Sequence, residues 1–290
     1  MGTYKDKALG IKLMIPVLVL LIGVIVIPEL WAIFLSLTNY SPTSTVEFIG
    51  VENYTKILSD PYFYNALFNT LKFIVFGVIL QMIIGTAFAL LIARRFRFQK
   101  LWIALILAPS AMSPAILGTA WKYLFNADFG PINYVLFQAR IEPPYWFTNA
   151  TFAFVALLIV YTWHSIPQVI IFVYPALISI SPEYNEAAAI DGASKLQILR
   201  YITLPLIKPA LLVTLVFRSI IAVRVFGEIY VLTRGGPFRA TEVLALYLYK
   251  DGFAYFNWGS AAAVGWLILL ITMFISLPQV RRLIRQRYEG

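Results

Sequence analysis

The sequence alternates between long apolar stretches and shorter segments that hold most of its charged, Pro and Asn residues. Because a helix needs about 20 mostly apolar residues to cross a bilayer, each long stretch predicts one membrane-spanning helix. The predicted spans cover approximately residues 11–37, 66–93, 101–125, 151–178, 209–232 and 258–277. The pattern therefore predicts an all-α fold, with residues 1–290 forming a single integral membrane domain of six transmembrane helices.

The first predicted span has to be distinguished from a cleavable secretory signal peptide, because Lys5, Lys7 and Lys12 precede it. Its apolar run, from Leu13 to Ile27, is long for the core of a signal peptide. No small-x-small cleavage site follows this run. We therefore expect an uncleaved span.

The Lys and Arg residues of the connecting segments predict the orientation of the spans, since such residues are enriched in cytoplasmic loops. With a cytoplasmic N-terminus, the cytoplasmic side carries about twice as many basic residues as the outer side. Those on the cytoplasmic side are Lys5, Lys7, Lys12, Arg94, Arg95, Arg97, Lys100, Lys195, Arg200, Lys208, Arg281, Arg282, Arg285 and Arg287. Both termini are thus predicted to face the cytoplasm. The outer segments 39–65, 126–149 and 233–257 are rich in aromatic residues and Pro, which suits the membrane interface or a surface that receives a partner.

Composition limits the class of function. Of the 290 residues, 60% are hydrophobic and 13% are charged, whereas soluble domains carry about a quarter charged residues. The net charge of +9 does not indicate nucleic-acid binding, because the basic residues are spread over short segments between apolar runs. The absence of Cys and the single His164 exclude Cys-ligated and His-rich metal sites. No Gly-x-x-x-x-Gly-Lys-Ser/Thr loop occurs, so any ATP hydrolysis would belong to a partner.

The predicted cytoplasmic segment 179–208 carries a complete set of helix signals. Ser181 can cap a helix, Pro182 fits its first position, and Glu183 complements the positive end of the helix dipole. Three alanines follow, and Gly192 can end the helix in the left-handed conformation.

A second short helix is predicted from Lys195 to about Thr203, ending at Leu204 and Pro205. The small alanine side chains of the first helix would permit close approach to another surface. From the residues alone, two interpretations remain open for the segment: a docking element for a partner, or an amphipathic connector lying on the lipid headgroups.

The same segment resembles the EAA motif of permeases from binding-protein-dependent ABC importers, which is Glu-Ala-Ala, three residues, Gly, nine residues, Ile-x-Leu-Pro. The matching residues are Glu186, Ala187, Ala188, Gly192, Ile202, Leu204 and Pro205. The resemblance implies the type I importer architecture, in which these residues and Asp191 form a coupling helix that docks on a cytoplasmic ATPase. It also implies the partners: a second homologous permease, two ATPase subunits that bind ATP and Mg²⁺, and an extracytoplasmic substrate-binding protein.

Two more segments resemble carbohydrate permeases of the maltose, trehalose and glycerol-phosphate systems. One is Phe226-Gly227-Glu228-Ile229-Tyr230-Val231-Leu232-Thr233-Arg234-Gly235-Gly236-Pro237, which departs from the pattern at Gly227, where an acidic residue is common. The other is Phe48-Ile49-Gly50 followed by Asn53-Tyr54. These matches favour the first, maltose-like subunit of a heterodimer, carrying a maltose- or trehalose-like oligosaccharide. Glycerol phosphate or another small polar solute is the alternative. Thr233, Gly235, Gly236 and Pro237 are predicted to contact the binding protein.

Within the predicted fifth span, Phe217, Ile221, Arg224 and Glu228 fall at spacings of four, three and four residues and would share one helix face. An aromatic ring, a guanidinium and a carboxylate could hold a sugar by stacking and hydrogen bonding, with Tyr230 nearby. Alternatively, Arg224 and Glu228 pair with each other along the helix. Arg218 lies about 100° or more from this face, so we expect it to contact a neighbouring helix.

Prolines predict bends in two other spans. In the fourth span, Pro167 removes a backbone hydrogen bond next to His164, which could sense protons, hydrogen-bond a substrate or be a hydrogen-bonded interior residue. In the third span, Pro109, Ser110, Ser113 and Pro114 predict a similar bend.

Other membrane functions explain the sequence less well. An ion-coupled secondary transporter would need buried acids, but only Glu29 and Glu228 lie in predicted spans and no inverted repeat is evident. An intramembrane hydrolase is disfavoured because His164 and Ser165 point about 100° apart on a helix. Arg218 and Arg224 do not form the regular Arg series of a voltage sensor. None of these functions accounts for the segment 179–208.

Overall fold

The computed structural model describes residues 13–42, 45–94 and 97–289, with side chains through residue 284. The predicted start of the first span at Ile11 lies outside this range, as do the basic residues Lys5, Lys7, Lys12 and Arg95. The side chains of Arg285 and Arg287 are also outside it.

The described residues are helical apart from turns, connecting segments and one isolated bridge between Thr38 and Phe48. The helices are α1 (Leu13–Ser36), α2 (Glu52–Ser59), α3 (Pro61–Ile92), α4 (Gln99–Ala111), α5 (Pro114–Leu124), α6 (Pro131–Gln138), α7 (Ala150–Ile178), α8 (Pro182–Ile190), α9 (Lys195–Val223), α10 (Gly227–Leu232), α11 (Leu244–Tyr249) with a π-helical extension (Lys250–Ala254), and α12 (Trp258–Glu289). The prediction of an all-α fold is confirmed for this part of the chain.

Five of these helices, α1, α3, α7, α9 and α12, are long and apolar enough to cross a membrane. The pair α4 and α5 makes a sixth crossing if it counts as one span, although its two helices meet at 102°. The predicted bend at this place is confirmed. Its cause is local: Ser113 is extended, with ψ of 147°, because the residue before a proline is driven out of the helical region.

The predicted fifth span, 209–232, does not form one continuous helix. The helix α9 begins at Lys195, as predicted for the short helix over 195–203, but it continues past Leu204 and Pro205, where that helix was predicted to end. A π-helical turn, Leu199–Thr203, widens the backbone just before Pro205, whose ring would otherwise press on the preceding turn. At its other end α9 stops at Val223, and residues 224–226 lead into the separate helix α10.

Three helices, α2, α6 and α11, lie in segments that the sequence predicts as outer loops. Each is shorter than nine residues, which is too short for apolar periodicity to distinguish a helix from a loop.

The chain divides into two compact units. The larger comprises Pro61–Tyr247 and Leu270–Gly290. Its core joins α3, α7 and α9 through Ala89, Ile92, Val169, Ile170, Val173, Leu177 and Ile207. In the same unit α10 packs closely on α5, because a Cβ at Gly118 would lie 2.7 Å from Val231 and one at Gly227 would lie 2.5 Å from Pro114. Glycine is required at both contacts.

The smaller unit comprises Met1–Asp60 and Leu248–Leu269. Asn53 is buried and donates side-chain hydrogen bonds to the carbonyls of Ser36 and Thr38, at 2.9 and 2.8 Å. The hydroxyl of Tyr54 donates to the Ser36 hydroxyl at 2.8 Å. The Asn-Tyr pair thus ties α2 to the end of α1.

Candidate functional site

The helix α8 forms as its local signals predict. The Ser181 hydroxyl accepts a hydrogen bond from the Glu183 amide, and Pro182 occupies the first turn. Gly192 follows the helix with φ of +78°, in the left-handed region. Its amide donates to the Ala189 carbonyl at 3.1 Å, and the next amide, of Ala193, donates to Ala188 at 2.9 Å. These paired bonds satisfy the last carbonyls of α8, so the predicted cap at Gly192 is confirmed.

Most of the predicted coupling residues lie on the surface of this chain. Glu186, Ala187, Asp191 and Gly192 are exposed, and the side chain of Ile190 is 87% exposed. The Ile190 side chain therefore presents apolar area at the end of a short helix.

Residues 181–203, most of which are exposed, are called here the α8 projection. The remaining coupling residues lie in or next to this projection. Ala188, Ile202 and Leu204 are half-buried, whereas Pro205 is exposed. Leu204 packs against the core of the larger unit. The projection is therefore connected directly to the packed centre of α3, α7 and α9.

A buried polar cluster surrounds Arg218 in the last two turns of α9. Its guanidinium is completely buried and donates hydrogen bonds to Gln81 (2.9 Å), Ser165 (2.7 Å), Tyr161 (3.1 Å) and Gln168. It also lies 5.6 Å from the centre of the Tyr161 ring. The expected contact of Arg218 with a neighbouring helix is confirmed. Since these partners come from α3 and α7, Arg218 fixes three long helices together.

The four partners of Arg218 were not predicted from the sequence. Three of them, Tyr161, Ser165 and Gln168, recur at spacings of four and three residues, so they mark one polar face on an otherwise apolar helix. This spacing could have indicated that the helix turns a polar face toward a buried polar group. Gln81 had a weaker signal, as an isolated amide in a long apolar run.

Glu228 is held by His164, not by Arg224. The His164 Nδ1 and the Glu228 Oε1 lie 2.9 Å apart, with the two side chains 13% and 8% exposed. The interpretation of His164 as a hydrogen-bonded interior residue is confirmed, and the predicted pairing of Arg224 with Glu228 is wrong. The reason is the break after Val223, which removes Glu228 from the helix that carries Arg224.

The predicted face of Phe217, Arg224 and Glu228 does not exist, for the same reason. Phe217 is half-exposed and packs its ring 5.1 Å from that of Phe172. Arg224 is exposed at the end of α9. Tyr230 lies on α10 and stacks on Phe226 at 5.3 Å. The structure therefore distributes these residues over two helices.

Residues 233–243 form a loop after α10 that several hydrogen bonds hold in place, called here the 233–243 loop. The Thr233 and Thr241 hydroxyls lie 2.8 Å apart, and the Thr241 hydroxyl also donates to the Gly236 carbonyl at 2.7 Å. Gly235 has φ of +86°, and Gly236 and Pro237 are joined by a cis peptide. The residues Thr233, Gly235, Gly236 and Pro237, which are predicted to contact a binding protein, thus determine the internal conformation of the loop.

Two asparagines of α3 anchor the loop. The Asn65 amide donates to the Arg239 carbonyl at 2.8 Å, and the Asn69 amide donates to the Glu242 carbonyl at 3.0 Å. The Arg239 guanidinium lies 3.8 Å from the centre of the Tyr62 ring and pairs with the buried Glu242 carboxylate at 3.6 Å. Immediately before the first of these anchors, the Phe238 side chain is 100% exposed.

Comparison with known proteins identifies the family of this architecture. The family described as "Binding-protein-dependent transport system inner membrane component" matches residues 62–289. The chain is 34% identical to "Probable ABC transporter permease protein y4oQ" of Sinorhizobium fredii, over 93% of the chain and 88% of that protein. It is 33% identical to "Trehalose/maltose transport system permease protein MalF" of Thermococcus litoralis, over 94% of the chain and 92% of that protein.

A solved structure shares the fold. The crystal structure of a bacterial alginate ABC transporter in complex with an alginate pentasaccharide-bound periplasmic protein contains a chain that superposes with a TM-score of 0.83. The alignment covers 95% of the present chain and 93% of the other, at 21% sequence identity. At this identity the likeness concerns the fold alone.

Proposed function

The chain belongs to the family of binding-protein-dependent transport system inner membrane components, and on this premise we propose that it forms half of the translocation pathway of an ATP-driven sugar importer. As an ABC transporter permease, it is a multi-pass protein of the prokaryotic inner membrane and a transport component, not an enzyme. The observation that carries the ATP-driven part of the proposal is the projecting helix α8, capped by a left-handed Gly192 and exposed on its surface.

The energy source in this proposal is external to the chain. Two cytoplasmic ATPase subunits would bind ATP with Mg²⁺, and one of them would receive α8 through Glu186, Ala187 and Ile190. Closure of the ATPase pair would then move the α8 projection. Because Leu204 connects the projection to the packed α3–α7–α9 core, the movement would reach the spans as a rigid-body rotation. The cavity shared with a second, homologous permease would open outward in this step.

The membrane arrangement in this proposal has six spans, with the bent pair α4 and α5 crossing once and both termini in the cytoplasm. This arrangement places α8 on the cytoplasmic side and the 233–243 loop on the outer side. An extracytoplasmic binding protein would dock on the outer loops and release its sugar into the shared cavity. The complex of the alginate transporter with its periplasmic protein supports this partner by likeness of fold.

The proposed substrate is a maltose- or trehalose-like oligosaccharide. The support is the resemblance of the segment 226–237 to carbohydrate permeases, together with 33% identity to a trehalose/maltose permease. Arg224 is the proposed polar contact, because it is exposed where α9 ends. Phe217 and Tyr230 are the proposed aromatic contacts. Glu228 would act through His164, by holding α10 in place.

The test of the proposal is a substitution at Gly192. A Cβ there would meet no atom within 4 Å, so Gly192→Val strains the left-handed backbone without creating a clash. We expect sugar uptake by vesicles that hold the complete transporter to fall at least about tenfold, since the strain, about 1–2 kcal/mol, distorts the cap of the docking helix. ATPase co-purification should fall with it.

Gly50→Val is the matched control. Gly50 also has a left-handed φ, of +59°, and open space around its Cβ position, but it lies in a predicted outer segment. Equal uptake by the Gly192→Val variant and the wild type, or equal loss in both variants, would contradict a coupling role for α8.

A further inference from the structure

A groove lies between the end of α3 and the start of α9, in the larger unit. It has a volume of about 460 Å³ and is lined by Leu90, Arg94, Asn185, Lys195, Leu196, Ile198, Leu199 and Thr203. Two of these residues are cations, and none is acidic. The structure therefore presents two positive charges beside an apolar wall.

The two cations are held in place by separate elements. Arg94 lies in the turn that closes α3, where its amide donates to the Leu91 carbonyl at 3.3 Å. Lys195 is the first residue of α9 and follows the N-cap residue Ser194. In the capping box, the Ser194 hydroxyl accepts from the Gln197 amide and the Gln197 side-chain oxygen accepts from the Ser194 amide. Neither side chain is within ion-pair distance of a carboxylate on any described residue. Both remain exposed, so their charge is available to a ligand.

The wall of the groove is apolar and partly solvent-exposed. Leu196 is 71% exposed, and Leu90, Ile198 and Leu199 are half-buried. Behind the wall, Leu90 packs against the core of α3, α7 and α9. A free inorganic anion would gain nothing from these leucines, whereas a lipid would place its acyl chain against them and its phosphate near the cations.

We propose that this groove binds the headgroup and upper acyl chain of an anionic phospholipid. A membrane location supplies the ligand at high local concentration, and basic grooves between the cytoplasmic ends of membrane helices suit anionic headgroups. Arg94 would bind the phosphate by its guanidinium fork, and Lys195 would add a second charge. The groove touches α8 at Asn185, so an occupied groove would join lipid to the base of the projection.

The test counts lipids on the purified full-length chain by native mass spectrometry, with phosphatidylglycerol or phosphatidylcholine added to the detergent. We expect the wild type to retain phosphatidylglycerol at a concentration about 30-fold lower than phosphatidylcholine, from two cations near the headgroup. The double variant Arg94→Gln/Lys195→Gln should lose this preference. The charge-conserving variant Arg94→Lys/Lys195→Arg should keep most of it, which separates charge from misfolding.

The matched control is Arg97→Gln/Lys100→Gln, which removes two charges near the same turn but none from the groove. Equal loss of preference in both double variants would overturn the proposal in favour of diffuse surface charge. Full displacement of the lipid by millimolar inorganic phosphate would overturn it in favour of a simple anion site. An unchanged preference in the Arg94→Gln/Lys195→Gln variant would overturn it outright. The measurement uses no ATPase, binding protein or sugar, so each of these failures would leave the transport function untouched.

Discussion

At the scale of single residues, Arg218 shows how this chain tolerates a charge in its interior. Its donors go to neutral oxygens on Gln81, Tyr161, Ser165 and Gln168, and no described carboxylate lies within ion-pair distance of it. Hydrogen bonds to a charged group are stronger than neutral ones, and a buried group left without them is costly. The cluster therefore contributes stability and fixes the relative rotation of three helices.

The substitution Arg218→Leu should destabilise the chain by a few kcal/mol, about 1–3 kcal/mol for each buried polar partner that it leaves without a donor. Thermal unfolding in detergent, compared with the wild type, measures the loss. Arg224→Leu, at an exposed position on the same helix, should change the midpoint little. Adding Gln81→Leu to Arg218→Leu should restore part of the loss, since both ends of one hydrogen bond are then removed. Strict additivity of the two losses would argue against the cluster.

Arg224 is a proposed substrate contact, and we expect it to contribute little to the stability of the fold. In the assembled transporter, Arg224→Ala should reduce substrate-stimulated ATPase activity about tenfold or more while leaving basal ATPase activity and thermal stability unchanged. Loss of one hydrogen bond from a charged donor, worth about 1.5–3 kcal/mol, sets this magnitude. Normal stimulation in the variant would remove Arg224 from the proposed substrate contacts.

At the scale of elements, locally encoded features were predictable and features set by tertiary contact were not. The ends of α8 follow from Ser181 and Gly192, which act within a few residues of themselves, and the sequence indicated both. The break between α9 and α10 depends on Gly227 fitting against Pro114 and on Glu228 reaching His164, which lies 64 residues earlier. These contacts join residues that are far apart in the sequence, so local sequence patterns do not reveal the break. The predicted substrate-binding face was therefore wrong. The partners of Arg218 were hidden for the same reason, Gln81 being 137 residues away.

The 233–243 loop is the element in which an outer docking role is most directly testable. Its anchors on α3 make it rigid, and it presents Phe238 with a left-handed φ of +47° and a fully exposed ring. Exposed aromatic side chains on rigid elements are typical binding hot spots, so Phe238→Ala should weaken binding of the loaded binding protein about 30-fold. Surface plasmon resonance on the reconstituted transporter measures this. Phe274→Ala, at another exposed ring but in α12, is the control and should leave the affinity unchanged.

At the scale of the whole molecule, the path of α4 and α5 determines on which side of the membrane the later segments lie. Hydropathy predicts one crossing over 101–125, and the 102° bend allows either one broken span or a re-entrant pair. The two arrangements place the residues after α5 on opposite sides of the membrane.

Because the chain contains no cysteine, single replacements report sidedness without background. With a membrane-impermeant maleimide on intact cells or spheroplasts, Phe238→Cys and Asp128→Cys should be labelled from outside. Glu186→Cys should be labelled only after the membrane is opened. Protection of Asp128→Cys together with external labelling of Glu186→Cys would instead establish a re-entrant α4–α5 pair if Phe48→Cys is still labelled from outside, and a reversed orientation if Phe48→Cys is also protected.

The cluster around Arg218 also constrains how this sequence can change over evolutionary time. Five side chains on three helices are joined through one guanidinium, so a substitution that removes it leaves its former partners under pressure to become apolar. We expect descendants of this chain to alter positions 81, 161, 165, 168 and 218 as a group, while the exposed Arg224 and Phe238 drift or adapt independently. The interior of the bundle would then record ancestry, and its accessible ends would record changes of cargo and partner.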